Sequence, residues 1–374
     1  MKKILIISLL VHLHLFSQNL YWQKYENNPI LETSNSNWEN YFTAIYCLKD
    51  GTGYKLYYTA MVPNQKEVAL ATSSDGFTWT KHSNNPVLRR GEQSWSSFRL
   101  VIGSVLKVGK TYYAFYYGDN ENLYAKGSLG VATSSDGVNW TQYDGNPIIH
   151  YTDISPGDQG LGLPKVVYKN GQFHMYFIQK GHNRWIYATS SDGFNWDIYE
   201  NNNINLPNGI NVIRYDGTLY YAIRQIANND SAEIWLSEDG MKWEVQPPSA
   251  LLPYQSWQTT DRGTKQGYFS LLVENESKRL LLFFNSALGI WGYKKMGMAV
   301  AENIYIQNGL TAPSNLIALA EDKAVKLNWQ DNSADEDGFI IERKKGQNGT
   351  WQEIHRTDPN IVKYKDFSIE QEYI

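Results

Sequence analysis

The sequence predicts an all-β protein: a five-bladed β-propeller closed by its own N-terminal strand, followed by a small second module. Three observations carry this prediction. Tyr, Trp and Phe number 27, 13 and 13 among 374 residues, and with abundant Thr, Ile and Val this aromatic load suits strands better than helices. A motif recurs as Ala71-Thr72-Ser73-Ser74-Asp75-Gly76-Phe77-Thr78-Trp79, as Ala132 to Trp140, as Ala188 to Trp196, and more loosely as Trp235 to Trp243. Recurrence at a fixed spacing of about 20–50 residues or slightly more marks a propeller, solenoid or array. Finally, the two ends of the repeat region carry complementary halves of one repeat.

Residues 1–18 read as a signal peptide, with Lys2 and Lys3 ahead of an apolar run from Ile4 to Phe16 that is too short to span a bilayer comfortably. The expected location is therefore secreted, periplasmic or cell-surface, with no membrane span after the leader is removed. The single cysteine, Cys47, allows no intrachain disulfide and is expected to fill core. A formal net charge of -4 with 19% charged residues gives no basic footprint for nucleic acid.

Each motif copy sits between two strand-like runs. Asp-Gly is a strong hairpin signal because Gly tolerates positive φ. The aspartates Asp75, Asp136, Asp192 and Asp239 are thus expected to accept turn N–H groups, with the Trp pinning the next strand. A second regularity starts at that Trp: Pro stands seven residues after Trp22, Trp79 and Trp140, at Pro29, Pro86 and Pro147. The chain start therefore has a Trp strand without the strands that precede it elsewhere. Gly297-Met298-Ala299-Val300-Ala301 resembles Gly130-Val131-Ala132-Thr133 but has no Trp strand after it.

Five Trp strands, five strands preceding them and five hairpins give the blade count, and closure from both termini removes exposed edges. The hairpins fall at Lys49-Asp50-Gly51, Val108-Gly109-Lys110, Lys169-Asn170-Gly171, Tyr215-Asp216-Gly217 and Glu274-Asn275-Glu276. The expected propeller spans 19–308. From 309 to 374 the pattern changes to short alternating strands around Trp329 and Trp351. This segment resembles a fibronectin type III domain, an immunoglobulin-like sandwich, and the chain stops about two strands before such a domain should end.

In a propeller the loops entering each innermost strand share a face with those joining its second and third strands. Trp38, Trp95, Trp185, Trp257 and Trp291 fall in such loops, and aromatic platforms with nearby polar groups suit sugar rings. The run Asp158-Gln159-Gly160-Leu161-Gly162-Leu163-Pro164-Lys165, then Gly171 to Phe177 and Ile186 to Gly193, resembles the five-bladed propeller glycosidases, the arabinanase, levansucrase and invertase superfamily that includes glycoside hydrolase families 43, 32 and 130. The resemblance covers about Tyr21 to Ile306. It implies a poly- or oligosaccharide substrate cleaved by a carboxylate acid/base pair.

By position the resemblance puts Asp158 at the superfamily's acid, where Glu is frequent, and Glu39 at its base. The second-blade loop, Ser97-Phe98-Arg99, lacks the carboxylate many relatives use, and Asp119 nearby is the candidate substitute. Candidate substrate-binding residues are Trp38, Trp95, Arg99, His182, Arg184, Arg224, Trp257 and Trp291. Lys180, His182 and Arg184 form a basic cluster that a phosphate-using relative would need. No metal-ligand spacing or cofactor motif stands out, so none is expected. A non-catalytic carbohydrate-binding propeller and a glycoside phosphorylase are the competing functions.

Overall fold

The computed structural model describes the chain except residues 1–21, 35–36, 63–64, 121–125, 227–230, 247–248, 252–254, 259–266, 276, 278, 289–291, 302–312, 322–323, 333–337, 344–351 and 368–374. The expected leader, Trp291 and Trp351 lie outside the described residues. Asn19–Ile304 form one compact unit, and Tyr305–Ile374 belong to a second.

The first unit begins with two short strands, β1 (Gln23–Lys24) and β2 (Leu31–Glu32). An antiparallel set follows, β3 (Tyr41–Asp50), β4 (Gly53–Val62), β5 (Gln65–Ser73) and β6 (Thr80–Lys81). The same order recurs in β7 (Arg99–Val108), β8 (Thr111–Asp119), β9 (Ser128–Ser134) and β10 (Thr141–Gln142). It recurs again in β11 (Lys165–Lys169), β12 (Gln172–Gln179), β13 (Arg184–Ser190) and β14 (Asp197–Tyr199). A fourth set holds β15 (Ile210–Tyr215), β16 (Tyr220–Ile226), β17 (Ser231–Ser237) and β18 (Glu244–Val245), with β19 (Ser249–Ala250) also on β17. The fifth has β20 (Gly267–Glu274), β21 (Arg279–Leu288) and β22 (Tyr293–Ala301).

The outer place in this fifth set is taken by β1. Lys24 stands opposite Ala299 in β22 as Lys81 stands opposite Ala71 in β5. The register is held by a side-chain clamp. Asn28 accepts from the Met298 N–H at 2.9 Å and donates to the Met298 carbonyl at 2.8 Å. Asn85 does the same to Leu70 at 2.8 and 2.9 Å, and Asn146 to Val131 at 2.9 Å each way. One amide thus satisfies both backbone groups of the facing residue, which neither would find elsewhere at a sheet edge.

The recurring aspartates fasten turns. Asp75 Oδ1 accepts the N–H groups of Phe77 and Thr78 at 2.7 Å, while Ser73 Oγ accepts from Gly76 at 2.8 Å and Trp79 Nε1 donates to the Gly76 carbonyl at 3.1 Å. Asp136, Asp192 and Asp239 repeat the carboxylate contacts. Gly76, Gly137, Gly193 and Gly240 all have φ between 72° and 83°, the left-handed region that favours glycine.

Burial follows from the stacking of these sets. The first strands are buried almost throughout, as with Phe42 to Cys47 in β3, because both faces of each sheet meet a neighbour. One core cluster joins Phe115, Leu129 and Val131 of the second set to Val166, Phe173 and Phe177 of the third. Another joins Val167 and Tyr176 to Ile213 and Tyr220 of the fourth. A further one joins Leu281, Phe283 and Met298 of the fifth to Ile45, Leu56 and Ala69 of the first.

The first strands contact one another in the order β3, β7, β11, β15, β20 and back to β3. Polar side chains stitch them. Ser104 Oγ accepts from Val166 N–H at 3.0 Å, and Ser270 Oγ accepts from Cys47 N–H at 3.1 Å. Arg214, from β15, donates to the Leu271 carbonyl at 2.7 Å and to the Cys47 carbonyl, with its guanidinium 3.7 Å from the centre of the Tyr46 ring.

In the second unit, β23 (Ser314–Glu321), β24 (Ala324–Gln330), β25 (Ile340–Arg343), β26 (Gln352–Arg356) and β27 (Lys363–Asp366) form a three-stranded sheet, β23-β24-β27, and a β25-β26 hairpin. Val325, Leu327, Trp329, Phe339 and Ile341 make its core. Arg343 in the hairpin pairs with buried Asp366 in the sheet at 2.8 Å.

Candidate functional site

The first strands all begin at one edge of their sets, and residues at or near those beginnings line a cavity of about 170 Å³. Ala44 and Ile45 of β3, Ile102 of β7, Lys165 of β11, Ile210 and Asn211 of β15, and Tyr268 and Phe269 of β20 all reach it. Its wall is largely apolar, and no carboxylate is among the described lining residues. The polar exceptions are Lys165 and Asn211. Lys165 Nζ donates to the Leu163 carbonyl at 3.0 Å, and burial pushes its ammonium down to about 8. The buried Asn211 Oδ1 accepts no hydrogen bond among the described residues. Neither residue stood out in the sequence beyond being polar at the start of a strand buried on both faces.

The three candidate carboxylates occupy three different environments. Glu39 is fully buried and saturated: Oε1 accepts from Tyr58 at 2.7 Å, and Oε2 from Ser34 N–H at 2.8 Å and from Lys81 Nζ at 2.6 Å. Its repeat counterpart is Gln258, which accepts from Lys24 at 2.9 Å, Lys24 being the counterpart of Lys81. The residue that precedes β3 thus serves as a strut from the loop to the outer strand.

Asp119, at the end of β8, is 2% exposed and bound on both oxygens. Arg99 Nε donates to Oδ1 at 3.0 Å and the Tyr117 hydroxyl to Oδ2 at 2.6 Å. This brings two sequence candidates, Arg99 and Asp119, together as a buried ion pair. Asp158 is instead half exposed in the loop before β11, 2.9 Å from His182 Nε2. The hydrogen bond from His182 holds its carboxyl below the usual carboxylate range.

The turn between β12 and β13 meets Asp158 and also Tyr117, the residue that binds Asp119. Its first residue, Lys180, has Nζ 4.1 Å from the centre of the Tyr117 ring, on the Asp119 side. Its third, His182, holds Asp158. The turn is fixed to the Asp158 loop, since Lys180 N–H donates to Gly160 at 2.9 Å and Gly181, with φ of 77°, packs on the Gln159 side chain.

The remaining candidates are placed elsewhere. Arg184 turns away from His182 to bind Glu200, Gln179 and the Ser155 carbonyl at 2.8–2.9 Å. Arg224 pairs with Glu233. Trp95 and Trp257 occupy equivalent positions in short 3-10 turns: Trp95 stacks on Tyr116 at 5.7 Å and lies over Gly130, and Trp257 stacks on Phe284 at 6.1 Å and lies over Gly297. Trp38 is half-buried against the core shared by the first and fifth sets. Trp185 is buried, donating to the Leu206 carbonyl at 2.8 Å. Among the described residues no cluster of three or more His, Cys, Asp or Glu side chains could hold a metal ion, and no helix is long and apolar enough to cross a membrane.

No family model matches this chain, and no curated protein matches it. Solved structures do. A family 117 glycoside hydrolase from the marine bacterium Zobellia galactanivorans superposes with a TM-score of 0.58 at 14% identity, over 77% of this chain and 93% of that one. A glycosyl hydrolase from Bacteroides ovatus gives 0.54 at 14% identity, over 76% and 94%. A structure from work on the GH130 family of mannoside phosphorylases, said to contain glycoside hydrolases that target β-1,2 mannosidic linkages in Candida mannan, gives 0.54 at 14% identity, over 79% and 97%. At these identities the likeness is one of fold.

Proposed function

From a fold shared with glycoside hydrolases and with the GH130 mannoside phosphorylase family, we propose that this chain is an exported five-bladed β-propeller glycosidase. In this reading β1 closes the ring, and a fibronectin type III-like module follows the propeller. Closure is supported by the Asn28 clamp on Met298 and by the cyclic contacts of the first strands. The substrate is a poly- or oligosaccharide. A cavity of about 170 Å³ is smaller than the roughly 300–1,000 Å³ of sites that enclose a small molecule, so the sugar chain lies across the cavity mouth.

The observation that carries the reading is the single turn whose His182 binds Asp158 and whose Lys180 lies on the ring of Tyr117, the residue whose hydroxyl binds Asp119. Glycoside cleavage needs one group to protonate the leaving oxygen and one carboxylate to attack or activate water. Asp119, ionised against Arg99, suits the second task. Proton delivery falls to the Asp158–His182 pair, which stands at the exposed edge with 2.9 Å between carboxylate and imidazole. Glu39, whose partners Tyr58, Ser34 and Lys81 all belong to the first set and the segment leading into it, takes no chemical role here.

Incubation with a panel of plant, algal and microbial glycans, with products followed by mass spectrometry, tests this. Asp119→Asn and Asp158→Asn should each lower turnover about 100-fold or more while the melting profile shows a folded protein. Unchanged turnover in both variants would sink the assignment. A second reading, a binding propeller without catalysis, draws on the described cavity-lining residues, none of which is a carboxylate. Retention of a glycan with no product would favour it.

A further inference from the structure

Four of the five first strands lose register where they meet the cavity. The shifts fall between Phe42 and Ile45 in β3, Ile102 and Ser104 in β7, Ile210 and Val212 in β15, and Gly267 and Ser270 in β20. Ala44, Asn211, Tyr268 and Phe269 lie inside those shifts, and all four line the cavity. A β-bulge takes a residue out of the ladder and re-aims its side chain, and bulges gather beside functional sites. The fifth strand, β11, keeps its register and contributes its first residue, Lys165.

Lys165 is 5% exposed, and the downward push on its ammonium comes from burial, with no charged neighbour among its causes. An ammonium has three donors. Among the described residues one of them is met, by the Leu163 carbonyl at 3.0 Å, and the ring of Trp185 lies 5.9 Å away. Asn211 stands near the start of β15, the neighbour of β11 among the first strands, and its buried Oδ1 accepts no hydrogen bond among the described residues. One small space thus has a cation with donors to spare on one strand and an acceptor to spare on the next. The rest of its wall is largely apolar, with Ile45, Ile102, Ile178, Ile210 and Phe269.

A buried charge is stabilised by a partner of opposite sign, and a buried acceptor by a donor. Both needs are met by a group that brings one negative charge and one hydroxyl close together. We propose that the cavity receives the carboxylate-bearing side of a uronate unit, with the carboxylate on Lys165 and a ring hydroxyl donating to Asn211 Oδ1. The rest of the sugar chain runs across the mouth, beside the exposed Gly209 and Tyr268. A phosphate dianion fits less well, because its second charge would face apolar wall without a partner. The inference rests on the glycan reading above and narrows it to uronate-containing glycans.

The test is titration calorimetry on the full chain. The probes are oligosaccharides of galacturonate and galactose, and of glucuronate and glucose, each pair matched in length and linkage, with acetate and inorganic phosphate alone. In at least one pair the uronate chain should bind about tenfold or more tightly than its neutral twin. That ratio should fall toward unity in Lys165→Met, which keeps the stem and removes the ammonium. Asn211→Ala should weaken the uronate chain several-fold and leave the neutral chain unchanged, and melts report that each variant is folded. Equal affinity in both pairs, or a ratio that survives Lys165→Met, overturns the inference while leaving the glycan reading intact. Should Lys165→Met fail to fold, uronate affinity unchanged in Asn211→Ala overturns it equally. Acetate or phosphate that binds as tightly as the uronate chain and competes with it makes the cavity a site for a free anion and also overturns it. Failure of every glycan to bind or be cleaved removes both readings.

Discussion

Replacing Asn28 by Ala removes the clamp that holds β1 on β22. The amide makes two hydrogen bonds to Met298, at 2.9 and 2.8 Å, and a third to Gln255 Oε1 at 3.1 Å. Each such bond contributes about 1 kcal/mol net, and stranding a buried partner costs about 1–3 kcal/mol. The site is part-buried, so water recovers some of this, and the expected loss is about 2–4 kcal/mol. For a unit of this size that corresponds to a fall in Tm of roughly 4–8 °C.

The control is internal to the fold. Asn85→Ala removes the same clamp from Leu70, between strands that are neighbours along the chain. If the N-terminal strand completes the fifth set, the two variants should lose similar amounts in calorimetric melts of the full chain. An Asn28→Ala protein that melts within about 1 °C of the parent while Asn85→Ala falls by several degrees would refute closure by β1.

Two further outcomes follow from named contacts. Arg214→Met should cost about 3 kcal/mol or more, read as a shift in the urea midpoint, because the Cys47 and Leu271 carbonyls lose a charged donor in a buried place; a midpoint unchanged from the parent would show that Arg214 does not tie the first strands together. The four turn aspartates make stability sensitive to acid. The backbone N–H groups of Thr78 and Phe77 hold Asp75 at about 2, and Asp192 reaches about 2 against the upward push of burial through Asn195 and Phe194, with Asp136 and Asp239 lowered as well. Because these folded pKa values lie below the unfolded value of about 3.9, their contribution is present above pH 4 and is lost as pH falls toward 2. Tm should therefore decline steeply across that window, and a flat profile would contradict the turn geometry.

What the sequence alone determined is what the chain encodes locally. The Ser-x-Asp-Gly-x-x-Trp stretch closes its hydrogen bonds within seven residues, from Ser73 to Trp79, so its structural role is legible without any neighbour. The orphaned Trp22 strand and the orphaned Met298 strand were visible because every other copy carried both parts. Hairpin positions and the strand class follow from the same local rules.

The site was decided elsewhere. Glu39 and Asp119 look alike as single acidic residues beside predicted strands. Lys81, 42 residues on, turns the first into a strut, and Arg99, across a strand pair, makes the second a buried anion. His182 and Arg184 are two residues apart, yet His182 stands in the turn and Arg184 opens β13, so they meet different partners, Asp158 and Glu200. Lys66 stands in register with Arg99, and Lys180 meets the Tyr117 ring, only because successive sets are stacked side by side. A charge's meaning depends on which other charges are near it in space, and that distance is set by tertiary packing, not by sequence separation.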